Sequence, residues 1–139
     1  MRTVHTLLFL LAALLAASSA HAARTAPIVN YEDVLVASGN GKPLSAEQVR
    51  KAVITGASRS RWAASAQPGN TVRVTYNRGG HIAVADVVYS AKSYSIRYVD
   101  STNLNYAQEA GKPVIHPNYN KWIGSLKQGI ETALRSSSL

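Results

Sequence analysis

Residues 71–99 read TVRVTYNRGGHIAVADVVYSAKSYSIRYV, and this stretch decides the fold. Three runs within it, 71–76, 81–89 and 93–99, alternate apolar and polar residues. A period of two, with β-branched and aromatic side chains, predicts half-buried antiparallel strands. Between the first two runs, the glycines of Asn77-Arg78-Gly79-Gly80 permit the positive φ angles of a tight hairpin turn. A shorter strand is expected before them, at 61–66.

An amphipathic helix is predicted on each side of the strands. The first helix spans residues 45–58, where Ser45 and Gln48 match a capping box ahead of an apolar stripe. The last helix starts near Pro117, a residue favoured at the first helical position. Its apolar stripe comprises Tyr119, Trp122, Ile123, Leu126, Ile130, Ala133 and Leu134. The sequence therefore predicts an α+β fold, an antiparallel sheet of three to four strands with two amphipathic helices on one face, in the order α-β-β-β-β-α.

The chain divides into three segments. Residues 1–22 contain a basic start, an apolar run and Ala20-His21-Ala22, which together indicate a signal peptide cleaved after Ala22. The apolar run is shorter than the roughly 20 residues that a membrane-spanning helix needs, so we expect a periplasmic or secreted protein with no transmembrane segment after cleavage. Residues 23–44 are expected to form an extended N-terminal arm, in which residues 27–30 and 34–36 are candidate short strands, and residues 45–139 a single α+β domain. Within that domain, residues 100–116 are predicted to be irregular because they are rich in turn-forming residues.

The composition limits the chemistry that the chain can perform. It has 139 residues with 15 Lys and Arg, 7 Asp and Glu, a net charge of +8 and no cysteine. Without cysteine there is no disulfide, no Cys-ligated metal site and no thiol nucleophile. The two histidines after residue 22, His81 and His116, lack the local spacing of metal ligands. We therefore expect no catalytic constellation, no metal site and no cofactor, with His81 beside a hairpin turn and His116 at the start of the last helix.

Much of the basic charge lies before residue 80 and forms a candidate surface for an anionic partner. In the cell envelope such a partner is a lipopolysaccharide phosphate, a phospholipid head group or another acidic polymer. The alternative is an ordinary solvated basic face. No nucleic-acid-binding motif accompanies the charge, so nucleic acid is not an expected partner. The residues of this basic patch are Arg50, Lys51, Arg59, Arg61, Arg73 and Arg78.

A second candidate surface combines amides with aromatic rings after residue 100. Amides form paired hydrogen bonds and rings cover apolar faces, a combination that suits neutral polar ligands such as sugars. The alternative is structural, with the asparagines satisfying loop backbone and Tyr119 lying in the core. The residues of this polar-aromatic cluster are Asn103, Asn105, Tyr106, His116, Asn118 and Tyr119.

Two stretches, YSIRYVDSTNLNY at residues 94–106 and IHPNYNKWI at residues 115–123, carry a family resemblance. They resemble a family of small, uncharacterised proteobacterial periplasmic proteins and lipoproteins, with the pattern Y-S-I-x-Y-x-D-S-x-N-L-N-Y followed by I-H-x-x-Y-N-x-W. The resemblance covers about residues 45–135 and implies an envelope location and the α/β layout. It implies no activity, because none is assigned to the family. This chain lacks the cysteine that carries the lipid in the lipoprotein members.

The sequence favours a non-catalytic periplasmic binding or envelope-associated module. Two alternatives stay open: an enzyme acting on a cell-wall or glycan substrate through His116, and a structural or secretion-related subunit whose sheet edge pairs with a partner. A deep polar pocket around His116 would favour the enzyme, and a continuous basic face would favour the anion binder. An exposed apolar edge strand would favour the assembly role.

Overall fold

The structure, a computed structural model, describes residues 24–137. The expected signal peptide, residues 1–22, lies outside the described residues. Along residues 24–137 the elements are β1 (Ala26–Pro27), β2 (Tyr31–Leu35), α1 (Ala46–Arg59), β3 (Ala63–Gln67), β4 (Thr71–Arg78), β5 (His81–Tyr89), β6 (Ser93–Thr102), β7 (Ala107–Glu109), β8 (Lys112–Ile115) and α2 (Pro117–Ser136).

Five strands form the main antiparallel sheet, in the order β2-β6-β5-β4-β3. The pairing of β4 with β5 ends at Arg78 opposite His81. The two residues between them, Gly79 and Gly80, have φ angles of 60° and 84°, as a two-residue hairpin turn requires. The predicted hairpin is therefore confirmed. A second, smaller antiparallel sheet has the order β1-β8-β7.

The main sheet is buried on one face only. Val72 and Val74 of β4 and Ala85 of β5 have no exposed surface, whereas the intervening Arg73 is exposed. On the open face, Arg73 Nε donates to Asp86 Oδ1 of the neighbouring strand at 2.9 Å. The alternation predicted from the period of two is thus confirmed in these strands.

Both helices share one hydrophobic core with the buried face of the sheet. The predicted capping box at the start of α1 is confirmed: Ser45 Oγ accepts from the backbone N–H of Gln48, and the Gln48 side chain accepts from that of Ser45. Helix α2 begins at Pro117, as predicted, and buries the predicted stripe except for Trp122, which is half-buried. Within residues 24–137, neither helix has the length and hydrophobicity needed to span a bilayer.

The prediction that residues 100–116 are irregular is wrong in two places. Strand β6 continues to Thr102, and β7 and β8 form a hairpin whose turn residues Ala110 and Gly111 have φ angles of 50° and 76°. Strands of three and four residues are too short to show a reliable alternation, because a period of two needs several repeats. They are recognised as strands only from their pairing: β7 pairs with β8, and β8 also pairs with β1.

The expected count of three to four strands is also wrong, because β2 adds a fifth. This strand lies in the predicted N-terminal arm and pairs with β6 at the edge of the sheet. Its register shifts between Tyr31 and Val34, where Asp33 has a φ of 48° and its N–H donates to Ser95 Oγ at 3.0 Å. Such a bulge breaks the alternation, so the sequence indicated only residues 34–36 as a candidate strand here and none at residues 31–33.

Candidate ligand-binding cavity

The β4–β5 hairpin turn forms the first wall of the site. Asn77 Oδ1 accepts from the backbone N–H of Gly80 at 3.2 Å, which stabilises the turn from within. Arg78 and His81 form the last pair of the two strands and are both exposed. The turn therefore presents a guanidinium and an imidazole side by side at one end of the sheet.

The loop after β6 forms the second wall. Asn103 and Asn105 both adopt left-handed backbone, with φ angles of 57° and 54°, a conformation that asparagine tolerates better than most residues. Between them, Leu104 is 3% exposed and packs in the core. The Asn103 side-chain amide donates to Gly80 O at 2.9 Å, and the Asn103 carbonyl lies 2.8 Å from His81 Nδ1. The loop thereby ties itself to the hairpin and orients the imidazole.

The start of α2 forms the third wall. His116 is the N-cap, and its Nδ1 accepts from the backbone N–H of Asn118 at 3.1 Å. The backbone N–H of His116 donates to Leu104 O at 2.7 Å, which joins the helix start to the second wall. One turn further along, the Trp122 ring packs on Tyr76 with centroids 4.7 Å apart.

The three walls border a partly open cavity of about 480 Å³, lined by Arg78, Gly79, His81, Leu104, His116, Asn118 and Trp122. Its lining carries one guanidinium, two imidazoles, an amide and one large ring, and no carboxylate. Within residues 24–137, no carboxylate lies within salt-bridge distance of Arg78. The described residues contain no cluster of three or more metal-ligating side chains. The cavity therefore offers positive charge, hydrogen-bond donors and acceptors, and an aromatic face.

The polar-aromatic cluster is only partly assembled. His116 and Asn118 line the cavity, and Asn103 positions the His81 ring from outside it. Tyr106 instead stacks on Tyr98 with ring centroids 5.0 Å apart, and Asn105 lies in the exposed loop. Tyr119 is fully buried in the core, where burial raises its pKa.

The six residues of the basic patch lie on several different surfaces. Lys51 and Arg59 line a small groove between α1 and the end of α2, and Arg61 follows α1 in left-handed backbone, with a φ of 66°.

Arg50 bonds to Glu47 on the helix surface, and this hydrogen bond lowers the pKa of Glu47. Arg73 is paired with Asp86 on the open face of the sheet. Of the six, Arg78 alone lines the cavity.

Sequence reasoning did not assign Arg78 and His81 to the same site as His116. The glycine pair predicts the turn, and strand pairing then places Arg78 opposite His81. Their approach to His116 depends on the left-handed residues of the 103–105 loop, for which the sequence carries only the preference of asparagine for such backbone. The convergence is thus a tertiary feature.

Comparisons of the chain with family models, curated proteins and solved structures find no match. The resemblance to small proteobacterial envelope proteins stays a prediction.

Proposed function

We propose that this chain is a binding module of the cell envelope that takes an anionic component of the envelope into the cavity beside His116. The observation that carries the proposal is the lining of the cavity, where Arg78 and two imidazoles converge and no carboxylate opposes them. A hydrogen bond to a charged group contributes about 1.5–3 kcal/mol, and a planar guanidinium suits phosphate and carboxylate oxygens.

The aromatic face adds a preference for a ring-bearing anion. Trp122 is half-buried and lines the cavity, and its ring packs against Tyr76. The Tyr76 ring in turn packs against Trp62, with a distance of 5.3 Å between the centroids of these two rings. An aromatic surface held this way offers contact area without the ordering cost of a mobile side chain. An anion on Arg78 with its ring against Trp122 uses both features.

Calorimetric titration of the purified protein with cyclohexyl phosphate and with cyclohexanol tests this proposal. We expect the phosphate to bind, the alcohol to bind at least tenfold more weakly, and Arg78→Gln to remove most of the difference. Arg59→Gln is the matched control, since it removes the same charge from the α1–α2 groove. No measurable phosphate binding, or equal losses in the two variants, contradicts the proposal.

A second candidate, the enzyme acting on a glycan substrate, is favoured by one observation. A polar cavity does lie around His116, and it brings a second imidazole, His81, to the same space. In hydrolysis of a glycan phosphoester, His81 Nε2 would take the proton of the attacking water and later release it to solvent. The N–H of His116 Nε2 would donate a hydrogen bond to a phosphoryl oxygen, and the leaving sugar oxygen would take its proton from solvent. Release of inorganic phosphate from glucose 1-phosphate, lost in His116→Asn, would establish this function, and a bound ligand that stays intact supports the binding module.

A further inference from the structure

The two imidazoles of the cavity each use one ring nitrogen inside the protein. His81 Nδ1 lies 2.8 Å from the carbonyl oxygen of Asn103, and His116 Nδ1 lies 3.1 Å from the backbone nitrogen of Asn118. The described residues provide no hydrogen-bond partner for either Nε2 atom. The Nε2 atoms are therefore the part of each ring that is available to a ligand.

The internal partners set opposite tautomers in the neutral rings. A carbonyl oxygen only accepts, so His81 Nδ1 carries the proton and His81 Nε2 is left with a lone pair. A backbone N–H only donates, so His116 Nδ1 is unprotonated and His116 Nε2 carries the proton. The same cavity thus presents one hydrogen-bond acceptor and one donor on chemically identical side chains.

An anionic group by itself satisfies only half of this arrangement. A phosphate dianion or a carboxylate accepts from Arg78 and from His116 Nε2 but has no proton to donate to His81 Nε2. His81 is exposed in the free protein, where water can bond its Nε2 atom. A ligand that covers the ring displaces this water, and an acceptor then left without a donor lowers the affinity by roughly tenfold. The ligand that satisfies the whole cavity carries a hydroxyl group as well as the anion, on a ring that covers Trp122.

We infer that the cavity binds a sugar that carries an anionic substituent, with a ring hydroxyl donating to His81 Nε2 and the anion bound by Arg78 and His116. This inference rests on the proposed function and specifies its ligand class. The anion is a phosphate or a carboxylate, because the oxygens of both groups can accept hydrogen bonds from Arg78 and from His116 Nε2. Asn118 at the rim adds an amide that both donates and accepts, which suits further hydroxyls.

Ligands that differ only in hydroxyl groups test the inference. Glucose 1-phosphate and cyclohexyl phosphate share a six-membered ring and a phosphate, so their affinity ratio isolates the hydroxyls. We expect glucose 1-phosphate to bind about tenfold more tightly, and glucose to bind far more weakly than either. Glucuronate distinguishes the two anions: binding within a few-fold of glucose 1-phosphate shows that a carboxylate serves, and much weaker binding restricts the class to phosphorylated sugars.

Asparagine substitutions remove the ligand-facing groups and keep the internal hydrogen bonds. In His81→Asn the amide nitrogen replaces Nδ1 as donor to Asn103, and no acceptor remains at the Nε2 position. We expect this variant to bind glucose 1-phosphate only as tightly as cyclohexyl phosphate, so that the affinity ratio of the two ligands falls to about one. In His116→Asn the amide oxygen still accepts from Asn118, and both phosphates weaken together.

Three results overturn the inference. One is equal affinity of the wild-type protein for the two phosphates, which leaves the anion site of the proposed function intact. Another is a His81→Asn variant that loses both ligands equally. The third needs no variant: ¹⁵N chemical shifts of the imidazoles in the free protein that show the same tautomer for His81 and His116. Failure of every anion to bind would instead reject the proposed function itself.

Discussion

Gly56 and Gly129 meet where α1 crosses α2, with the two helix backbones in direct contact. A Cβ atom on Gly56 would lie 2.5 Å from the backbone nitrogen of Ile130, and one on Gly129 would lie 2.7 Å from Gly56 O. Ser60 Oγ donates to Ser125 O at 3.1 Å across the same crossing. The close approach of the helices therefore depends on the absence of side chains at these two positions.

Gly56→Ala should lower the free energy of unfolding by about 3 kcal/mol, at the upper end of overpacking penalties, because backbone cannot move aside as a side-chain tip does. Urea denaturation followed by circular dichroism measures this. Gly124→Ala, in the same helix as Gly129, is the control: its Cβ meets only Tyr31 Oη at 3.8 Å, so the gain in helix propensity should stabilise the protein by about 0.5–1 kcal/mol. Equal effects of the two substitutions would contradict the crossing.

Tyr119→Phe should leave the stability unchanged or raise it by about 1 kcal/mol. The Tyr119 hydroxyl is buried and has no hydrogen-bond partner among the described residues. Removing it therefore removes the free-energy cost of burying a polar group that forms no hydrogen bond. The same holds for Tyr94, whose hydroxyl is also without a partner there. A clear loss of stability in thermal denaturation of both variants would show that the hydroxyls are bonded in solution.

The protein should lose stability steeply above pH 10. Burial raises the pKa of both Tyr94 and Tyr119 above the ordinary tyrosine value of about 10, so the folded protein holds protons that the unfolded chain releases. Their contribution is complete below pH 10 and falls by about 1.4 kcal/mol per pH unit for each tyrosine as the pH rises toward the folded-state values. Unfolding free energies measured between pH 8 and 12 give the slope.

The double variant Tyr94→Phe/Tyr119→Phe should show a distinctly shallower alkaline slope. Tyr106→Phe, at an exposed ring, serves as the control and should keep the wild-type slope. Identical slopes in all three proteins would contradict the burial of the two hydroxyls.

His116 should contribute to stability as a helix cap, separately from any ligand. His116→Ala removes the acceptor for the Asn118 N–H and should cost about 1 kcal/mol, the usual value of an N-cap. Asparagine is among the best N-cap residues, so His116→Asn should stay within about 0.3 kcal/mol of wild type. A His116→Asn variant as unstable as His116→Ala would show that packing of the imidazole ring, and not the capping hydrogen bond to Asn118, stabilises the fold.

The two tryptophans should differ in their effect on stability. Trp62 is 2% exposed and lies in the core, so Trp62→Ala should cost about 3–5 kcal/mol. Trp122 is half-buried and lines the cavity, so Trp122→Ala should cost less, about 1–3 kcal/mol, and weaken cyclohexyl phosphate binding. A larger loss of stability for Trp122→Ala would reverse this assignment.

The sequence predicted the parts of the fold that show long, regular patterns. Strand β5 spans His81–Tyr89 as expected, α2 begins at Pro117, and Ser45 caps α1. It failed where the pattern is short or interrupted: the β7–β8 hairpin has strands of three and four residues, and β2 carries a bulge.

The cavity shows the same division between local and tertiary information. The sequence singled out His116 and Asn118 near one another in the chain, and it singled out Arg78 only for its charge. It separated His81 from His116, since 34 residues lie between them in the chain. Tyr119 was assigned to the polar-aromatic cluster because it is close to His116 in sequence, but it lies on the buried face of α2, in the core.

By itself, the sequence determined the two helices and the long strands β4, β5 and β6, and which face of each is apolar, because periodicity and capping act over a few residues. Only the tertiary structure decided that the hairpin, the 103–105 loop and the start of α2 converge. That convergence depends on two left-handed asparagines, a shared core residue and hydrogen bonds between segments far apart in the chain. Interactions of this kind leave no periodic trace in a sequence, and they are the ones that place two histidines in one cavity in opposite tautomers.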